Sequence, residues 1–403
     1  MLYPQVAVIG AGAMGAGIAH VLLTAHRDVV LVDIKPEFVD NGIRRITNRL
    51  ASDVEKGRLT PDEKDYIFSR VKGSIDYRDA SEAGLVIEAV IEDRKAKGDL
   101  FRGLNDICPP DTIFATNTST LPITDLAALS GRPQKFVGLH FFNPVHAMRL
   151  VEVIPGINTT EKTVAGAKSV VEDVKKVPIV VQDCPGFLVN RILLSLATEA
   201  LRCAEEGISP EEIDGQARKA GFPMGPLEVT DLVGLDVSLH SMPVLHEAYG
   251  ERFPVPELVR RLCEAGRLGV KSGKGIYHEG KVDDEFRGIV RNLGAPLPLQ
   301  GSEFRIDRCI LRMVNEAVAC LQERVATAEE IDRAMVLGAG FPNQQGIGGP
   351  LHWADDLGLD AVVDALNAYK DTLGPRFWPH HLLKTYVAAG YRGRKVGRGF
   401  FTY

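Results

Sequence analysis

Gly10-Ala-Gly12-Ala-Met-Gly15 lies between an apolar, β-branched run at residues 6–9 and an apolar stretch that continues to residue 25. A glycine-rich turn that ends a buried strand and opens a helix commits the chain to a parallel sheet, since strand, turn and helix begin a right-handed crossover. The first glycine serves the tight turn, the second lets backbone approach a phosphate, and the third lets helix pack on strand. The helix N-terminus then faces the negative charge. Further apolar, β-branched runs at 29–32, 85–90, 113–116, 136–139 and 177–181 alternate with segments of helical spacing.

That rhythm predicts an α/β Rossmann-type domain over residues 1–183. Asp33 ends the second strand, where a carboxylate accepts hydrogen bonds from ribose hydroxyls and repels a 2′-phosphate. Gly10, Gly12, Gly15 and Asp33 therefore predict a dinucleotide site that takes NAD rather than NADP. Residues 6–25 also have about the length of a membrane span. Four glycines between Gly10 and Gly17, and no Lys or Arg before Arg27, argue against a span or leader there. The competing reading makes the glycines packing devices and Asp33 a solvated strand end.

Between the second and third runs, residues 36–70 form a charged insertion. Thr60-Pro61-Asp62-Glu63 reads as N-cap, first-turn Pro and capping-box Glu, which predicts a helical hairpin. From Phe187 onward apolar residues recur at helical spacing, and landmarks repeat. Asn190-Arg191 with Glu199, Ser209-Pro-Glu-Glu-Ile-Asp214, Gly221-Phe-Pro223 and Gly269-x-Lys-x-Gly-x-Gly275 have later counterparts. These are Asp307-Arg308 with Glu316, Thr327-Ala-Glu-Glu-Ile-Asp332, Gly340-Phe-Pro342 and Gly393-x-Lys-x-Gly-x-Gly399. Two all-α copies, 184–280 and 302–403, are expected, joined by a linker at 279–301 that contains Pro296 and Pro298. With 403 residues, three domains are reasonable.

A net charge of −6 opposes nucleic acid as a partner. Cys108, Cys184, Cys203, Cys263, Cys309 and Cys320 form no C-x-x-C pair, which points to free thiols in a reducing, cytoplasmic setting. No H-E-x-x-H or Cys/His cluster occurs, so no metal is expected.

His140 follows the run at 136–139, at the carboxyl end of an expected strand, where open parallel sheets bind ligands. Glu152 stands in a second apolar stretch at 150–154, and a chain reversal between them would pair imidazole with carboxylate. Such a carboxylate fixes the tautomer and stabilises the imidazolium of a general base. A structural histidine is the competing reading.

Thr116-Asn-Thr-Ser-Thr120, Gly138-Leu-His-Phe-Phe-Asn-Pro144, Leu150-Val-Glu-Val-Ile154 and Asp183-Cys-Pro-Gly-Phe-Leu-Val-Asn-Arg191 resemble the blocks of L-3-hydroxyacyl-CoA dehydrogenases. The resemblance covers nearly the whole chain and is strongest to the dehydrogenase half of multifunctional fatty-acid oxidation enzymes (alpha subunits), without their enoyl-CoA hydratase half. It implies a Rossmann-type NAD-binding domain followed by two repeated all-α 6-phosphogluconate-dehydrogenase-like domains. It also implies oxidation of an acyl-CoA substrate by NAD, with His140 as base, Glu152 as its partner, and Ser119 and Asn190 at the substrate's 3-oxygen.

Glu92, Lys97 and Lys271 match cofactor-side positions, and Arg49 and Lys56 on the insertion match the CoA-facing element. The plainer readings make Ser119 a loop cap, Asn190 a helix cap, and Glu92 and Lys97 solvated charges. Asp307 replaces Asn190 in the second copy, so one active site per chain is expected. A monomer or weak homodimer, with association to a thiolase or hydratase left open, is expected too. Acyl chain length is not legible, and 3-hydroxybutyryl-CoA and 3-hydroxyadipyl-CoA both fit. A dehydrogenase of another hydroxy acid, such as a sugar acid, and a noncatalytic NAD-binding protein are the alternatives.

Overall fold

The computed structural model describes residues 2–294, 304–344 and 347–403, and the chain divides into two compact units, Met1–Phe187 and Leu188–Tyr403. In the first unit the elements run β1 (Gln5–Ile9), α1 (Ala13–Thr24), β2 (Asp28–Val32), α2 (Pro36–Glu55), α3 (Pro61–Phe68), β3 (Val71–Ser74) and β4 (Leu85–Glu88). They continue as α4 (Arg94–Ile107), β5 (Ile113–Thr116), α5 (Ile123–Leu129), β6 (Phe136–Phe141), β7 (Leu150–Pro155), α6 (Glu161–Asp173) and β8 (Val177–Val180). The strands form one sheet in the order β3-β2-β1-β4-β5-β6-β7-β8. Every pairing is parallel except β6 with β7.

Helices on both faces explain why the central strands read as continuous apolar runs, for Val6 to Ile9 and Leu85 to Ile87 are wholly buried. The strand order reverses between β1 and β4, and the carboxyl ends of those strands bound the crevice where such sheets bind ligands. The expected hairpin is α2 and α3, and Thr60 and Glu63 close the capping box. β3 has no counterpart in the sequence reading. Val71-Lys-Gly-Ser74 is a half-exposed edge strand, without the apolar run that marks a central one.

The second unit is helical: α7 (Val189–Glu205), α8 (Pro210–Lys219), α9 (Pro226–Val233), α10 (Leu235–Tyr249), α11 (Glu257–Glu264) and α12 (Asp284–Leu293), then α13 (Asp307–Gln322), α14 (Ala328–Ala339), α15 (Pro350–Leu357), α16 (Leu359–Leu373) and α17 (His381–Ala388). α7–α11 and α13–α17 correspond in order and landmark. Ser209 caps α8 through Glu212 N, and Thr327 caps α14 through Glu330 N. Asp214 accepts from Leu227 N and Glu228 N at the start of α9. Asp332 does the same for Leu351 N and His352 N at the start of α15.

Gly269 (φ +93) and Gly393 (φ +88) each lie so close to a carbonyl, Asp231 O or Asp355 O, that a Cβ would approach it to 2.2 Å. Only glycine fits the repeated motif there. The expected linker at 279–301 is corrected over its first part. Asp283 caps α12 through Phe286 N at 2.8 Å, and Phe286 is buried. The rest of that segment, 295–301, with Pro296 and Pro298, lies outside the described residues.

Among the described residues no helix is long and apolar enough to cross a membrane. None of their His, Cys, Asp and Glu groups is arranged to hold a metal ion. Cys184 and Cys263 are half-buried and the other four cysteines are buried.

Candidate functional site

The site begins at the glycine turn. Gly10 (φ +103) adopts a backbone that L side chains rarely reach, and a Cβ on it would lie 2.5 Å from Ala89 O. A Cβ on Gly15 would lie 1.8 Å from Gly10 O, so that glycine serves packing of helix on strand. At Gly12, by contrast, a Cβ would meet nothing within 4 Å, and this residue is the N-cap of α1 without a side-chain cap. The open space sits where a pyrophosphate approaches uncapped helical N–H groups. Asp33 is aimed by backbone: Oδ2 accepts from Ala11 N and Oδ1 from Ile34 N, both at 2.7 Å. The turn and the carboxylate are thus one unit, as a dinucleotide site requires.

Across the sheet, β6 pairs antiparallel with β7 so that His140 stands directly opposite Glu152. Register partners project to the same face, and His140 Nδ1 lies 2.6 Å from Glu152 Oε2. Both are buried, Glu152 completely. With Nδ1–H donated to the carboxylate, Nε2 carries the lone pair, the arrangement of an oriented base. Phe142 and Phe187 pack on the imidazole with ring centroids at 4.5 and 5.8 Å and help keep water from it. Asn117 Oδ1 accepts from Phe141 N at 2.9 Å and fixes the strand end beside the base. Lys176, buried and pushed down to about 8 by that burial, donates to Val145 O and Met148 O in the connection from β6 to β7.

Ser119 lies on the loop after β5, and Glu92 organises that loop. Glu92 Oε1 accepts from Thr118 Oγ1 (2.6 Å), Ser119 N (2.8 Å), Thr120 N (3.1 Å) and Thr120 Oγ1 (3.1 Å). Burial works to raise its carboxyl, but the Lys97 ammonium and these hydrogen bonds outweigh it and hold the group below its ordinary range. Lys97 is not a solvated charge. It is 1% exposed, with Nζ 2.6 Å from Glu88 Oε1 and 3.3 Å from Glu92 Oε2. Its ammonium is committed to two carboxylates of its own unit.

On the insertion, Arg49 pairs with Asp53 at 3.3 Å, and Asp53 also meets Arg58 at 3.3 Å and His20 at 3.4 Å. Burial, opposed by Asp53, pushes His20 down to about 4. Lys56, the C-cap of α2, is exposed. In the second unit Asn190 opens α7 half-buried, and Lys271 is ion-paired with Asp236. Glu88, Asn117, Thr118, Phe142 and Asp183 were missed by the sequence reading. Asp183 accepts from Ile123 N (3.1 Å) and Thr124 N (2.8 Å) and ties the first turn of α5 to the segment after β8. For Asn117, Thr118, Phe142 and Asp183 the signal was present, since all lie inside the quoted motif blocks.

Known proteins match this arrangement over almost the entire chain. Residues 5–184 match the NAD binding domain of 3-hydroxyacyl-CoA dehydrogenase, and 186–279 together with 304–403 match its C-terminal domain. The fatty acid oxidation complex subunit alpha of Shewanella amazonensis is 38% identical over 390 residues, covering 95% of this chain and 55% of that protein. The chain therefore spans about half the length of that relative. The crystal structure of 3-hydroxybutyryl-CoA dehydrogenase from Escherichia coli superimposes with a TM-score of 0.87 at 31% identity, covering 97% of this chain and all of that one. (S)-3-hydroxybutyryl-CoA dehydrogenase from Ralstonia eutropha matches with a TM-score of 0.67 at 38% identity, over 69% of this chain and 100% of its own. With its glycine turn, its buried His–Glu pair and both halves matched, the chain belongs to the 3-hydroxyacyl-CoA dehydrogenase family.

Proposed function

We propose that the chain oxidises an L-3-hydroxyacyl-CoA to the 3-oxoacyl-CoA through His140, and the observation that carries this reading is the buried 2.6 Å pair with Glu152. His140 Nε2 takes the proton of the 3-hydroxyl as the C3–H bond breaks, and Glu152 stabilises the imidazolium so formed. The chemistry supplied by bound NAD is acceptance of that hydride at the nicotinamide. Ser119 holds the 3-oxygen with Asn190, Gly12 and Asp33 hold the dinucleotide, and Glu92 sets the loop that carries Ser119. Arg49 and Lys56 meet the phosphates of the CoA moiety, and Lys271 serves the cofactor side.

Residues 1–183, 184–280 and 302–403 act in this reading as one NAD-binding domain and two helical copies, of which the second is scaffold. The protein is a monomer or weak homodimer, and its substrates and products are those that a hydratase supplies and a thiolase consumes. Steady-state NADH formation with (S)-3-hydroxybutyryl-CoA, a longer linear homologue, a dicarboxylic homologue and a sugar acid tests the assignment. Turnover of the CoA esters, abolished in His140→Ala, is expected. Turnover of the sugar acid alone would overturn it.

A further inference from the structure

Glu88 ends β4 with its side chain fully buried, where an ionised carboxylate is costly unless paired. It accepts from Val90 N at 2.7 Å, Lys97 Nζ at 2.6 Å and Thr116 Oγ1 at 2.6 Å. The same ammonium reaches Glu92, whose other oxygen gathers Thr118, Ser119 and Thr120. A chain of alternating charge thus runs from the end of β4 to the loop that follows β5. The proposed chemistry gives Glu88 no part of its own, and a well-packed apolar pair of similar volume is often at least as stable as a buried ion pair.

We propose that Glu88 is a positioning residue for the dehydrogenase reaction: through Lys97 it fixes Glu92, and through Glu92 the Ser119 loop. The distances say how. Nζ sits 2.6 Å from Glu88 and 3.3 Å from Glu92, so Glu88 holds the ammonium back from the second carboxylate. Without the Glu88 charge the ammonium closes on Glu92 and draws Oε1 away from the backbone N–H groups of Ser119 and Thr120. A displacement of that kind near the reacting atoms lowers turnover well before it disturbs binding at the glycine turn. The inference rests on the reading of Ser119 as a substrate-holding residue.

The test compares Glu88→Gln, the double variant Glu88→Gln with Lys97→Met, and Ser119→Ala in the full-length chain. In Glu88→Gln, kcat is expected to fall about ten- to a hundredfold, with the Kd for NADH changed less than about threefold. The double variant removes the Glu88–Lys97 pair together but leaves Glu92 without its cation, so it is expected to regain part of the unfolding midpoint lost in Glu88→Gln without regaining kcat. It also keeps the test informative if the single variant folds poorly. Wild-type kcat in Glu88→Gln, or recovery of kcat along with stability in the double variant, would overturn the proposal. A silent Glu88→Gln beside a crippled Ser119→Ala removes this inference alone. If Ser119→Ala is silent too, the reading of the loop falls with it.

Discussion

Backbone pairing, rather than side-chain choice, sets the separation of the buried His–Glu pair, because His140 and Glu152 are opposite residues of β6 and β7. Replacing either leaves the other in place. His140→Ala is therefore expected to lower kcat by about two to four orders of magnitude with NADH affinity nearly unchanged, the cost of losing a general base. Glu152→Gln should likewise lose turnover rather than cofactor affinity. Steady-state kinetics beside an NADH titration check both, and near wild-type turnover in His140→Ala would refute the mechanism. At the other end of the crevice, Asp33 is held by two backbone N–H groups and cannot turn aside from a 2′-phosphate. Like charges about 4 Å apart repel by about 4 kcal/mol at an effective dielectric near 20. Lys35, the nearest candidate to offset this, is exposed and lies 3.8 Å from Glu37. The ratio of kcat/KM for NAD to that for NADP should favour NAD strongly, and equal values would remove the role given to Asp33. The pairing of His140 with Glu152 and the place of Asp33 at a strand end were legible because each residue ends or interrupts an apolar run. The pairing of Glu88 with Lys97 was not, because only folding shows that a carboxylate at a strand end and a lysine nine residues on share one buried site.

Elements with strong local signals were legible for the same reason: apolar runs marked β1, β2, β4, β5 and β6, and capping residues marked α3, α8 and α14. β3 carries no such signal, and α12 was hidden by the prolines and glycines of its surroundings. The aspartates that tie helix starts together show how the copies diverged at one element. Tyr277 Oη donates to Asp214 at 2.7 Å, whereas Phe401 has no hydroxyl and His352 Nδ1 meets Asp332 at 2.6 Å instead. Burial pushes Asp214 up to about 6, against the pull of Tyr277 and the amides of α9. Its unfolded value is about 3.9. Between those values the folded chain keeps a proton that the unfolded chain has lost, so this stabilisation is full below about pH 4 and is lost as pH rises through 6. Asp214→Asn does not titrate. The stability gap between wild type and variant should therefore narrow by on the order of 2 kcal/mol from pH 4 to pH 7 and stay level above. Denaturant unfolding across that range measures it, and a gap independent of pH would show that Asp214 does not titrate there.

At the scale of the whole chain, the second unit carries a reciprocal arrangement between its copies. Arg191 Nε donates to Glu316 and Nη1 to Glu323, each at 2.7 Å. Arg308 Nε donates to Glu199 and Nη1 to Glu206, also at 2.7 Å. Arg376 meets Glu199 at 2.7 Å, and its counterpart Arg252 lies 3.8 Å from Glu316. Phe222 and Phe341 pack edge to face at 5.3 Å, while Gly221 adjoins Pro342 and Gly340 adjoins Pro223. Residue i of one copy meeting residue j of the other, and j meeting i, is how an isologous two-fold interface is built. Here both patches belong to one polypeptide, so the surface that would recruit a second copy is already covered. The full-length protein is accordingly expected to be monomeric by light scattering at micromolar concentration. A stable dimer joined through α7 would contradict this. The seam should also be expensive to break from one side. Arg191→Met leaves the buried Glu316 with the weaker Arg252 contact at 3.8 Å and is expected to cost about 3 kcal/mol, toward the lower end of what breaking a buried pair costs. Adding Glu316→Gln should return part of that loss, because the double variant no longer buries a carboxylate that has lost its shorter ion pair. Strict additivity of the two single effects in denaturant unfolding would show that the reciprocal pairs do not couple the copies.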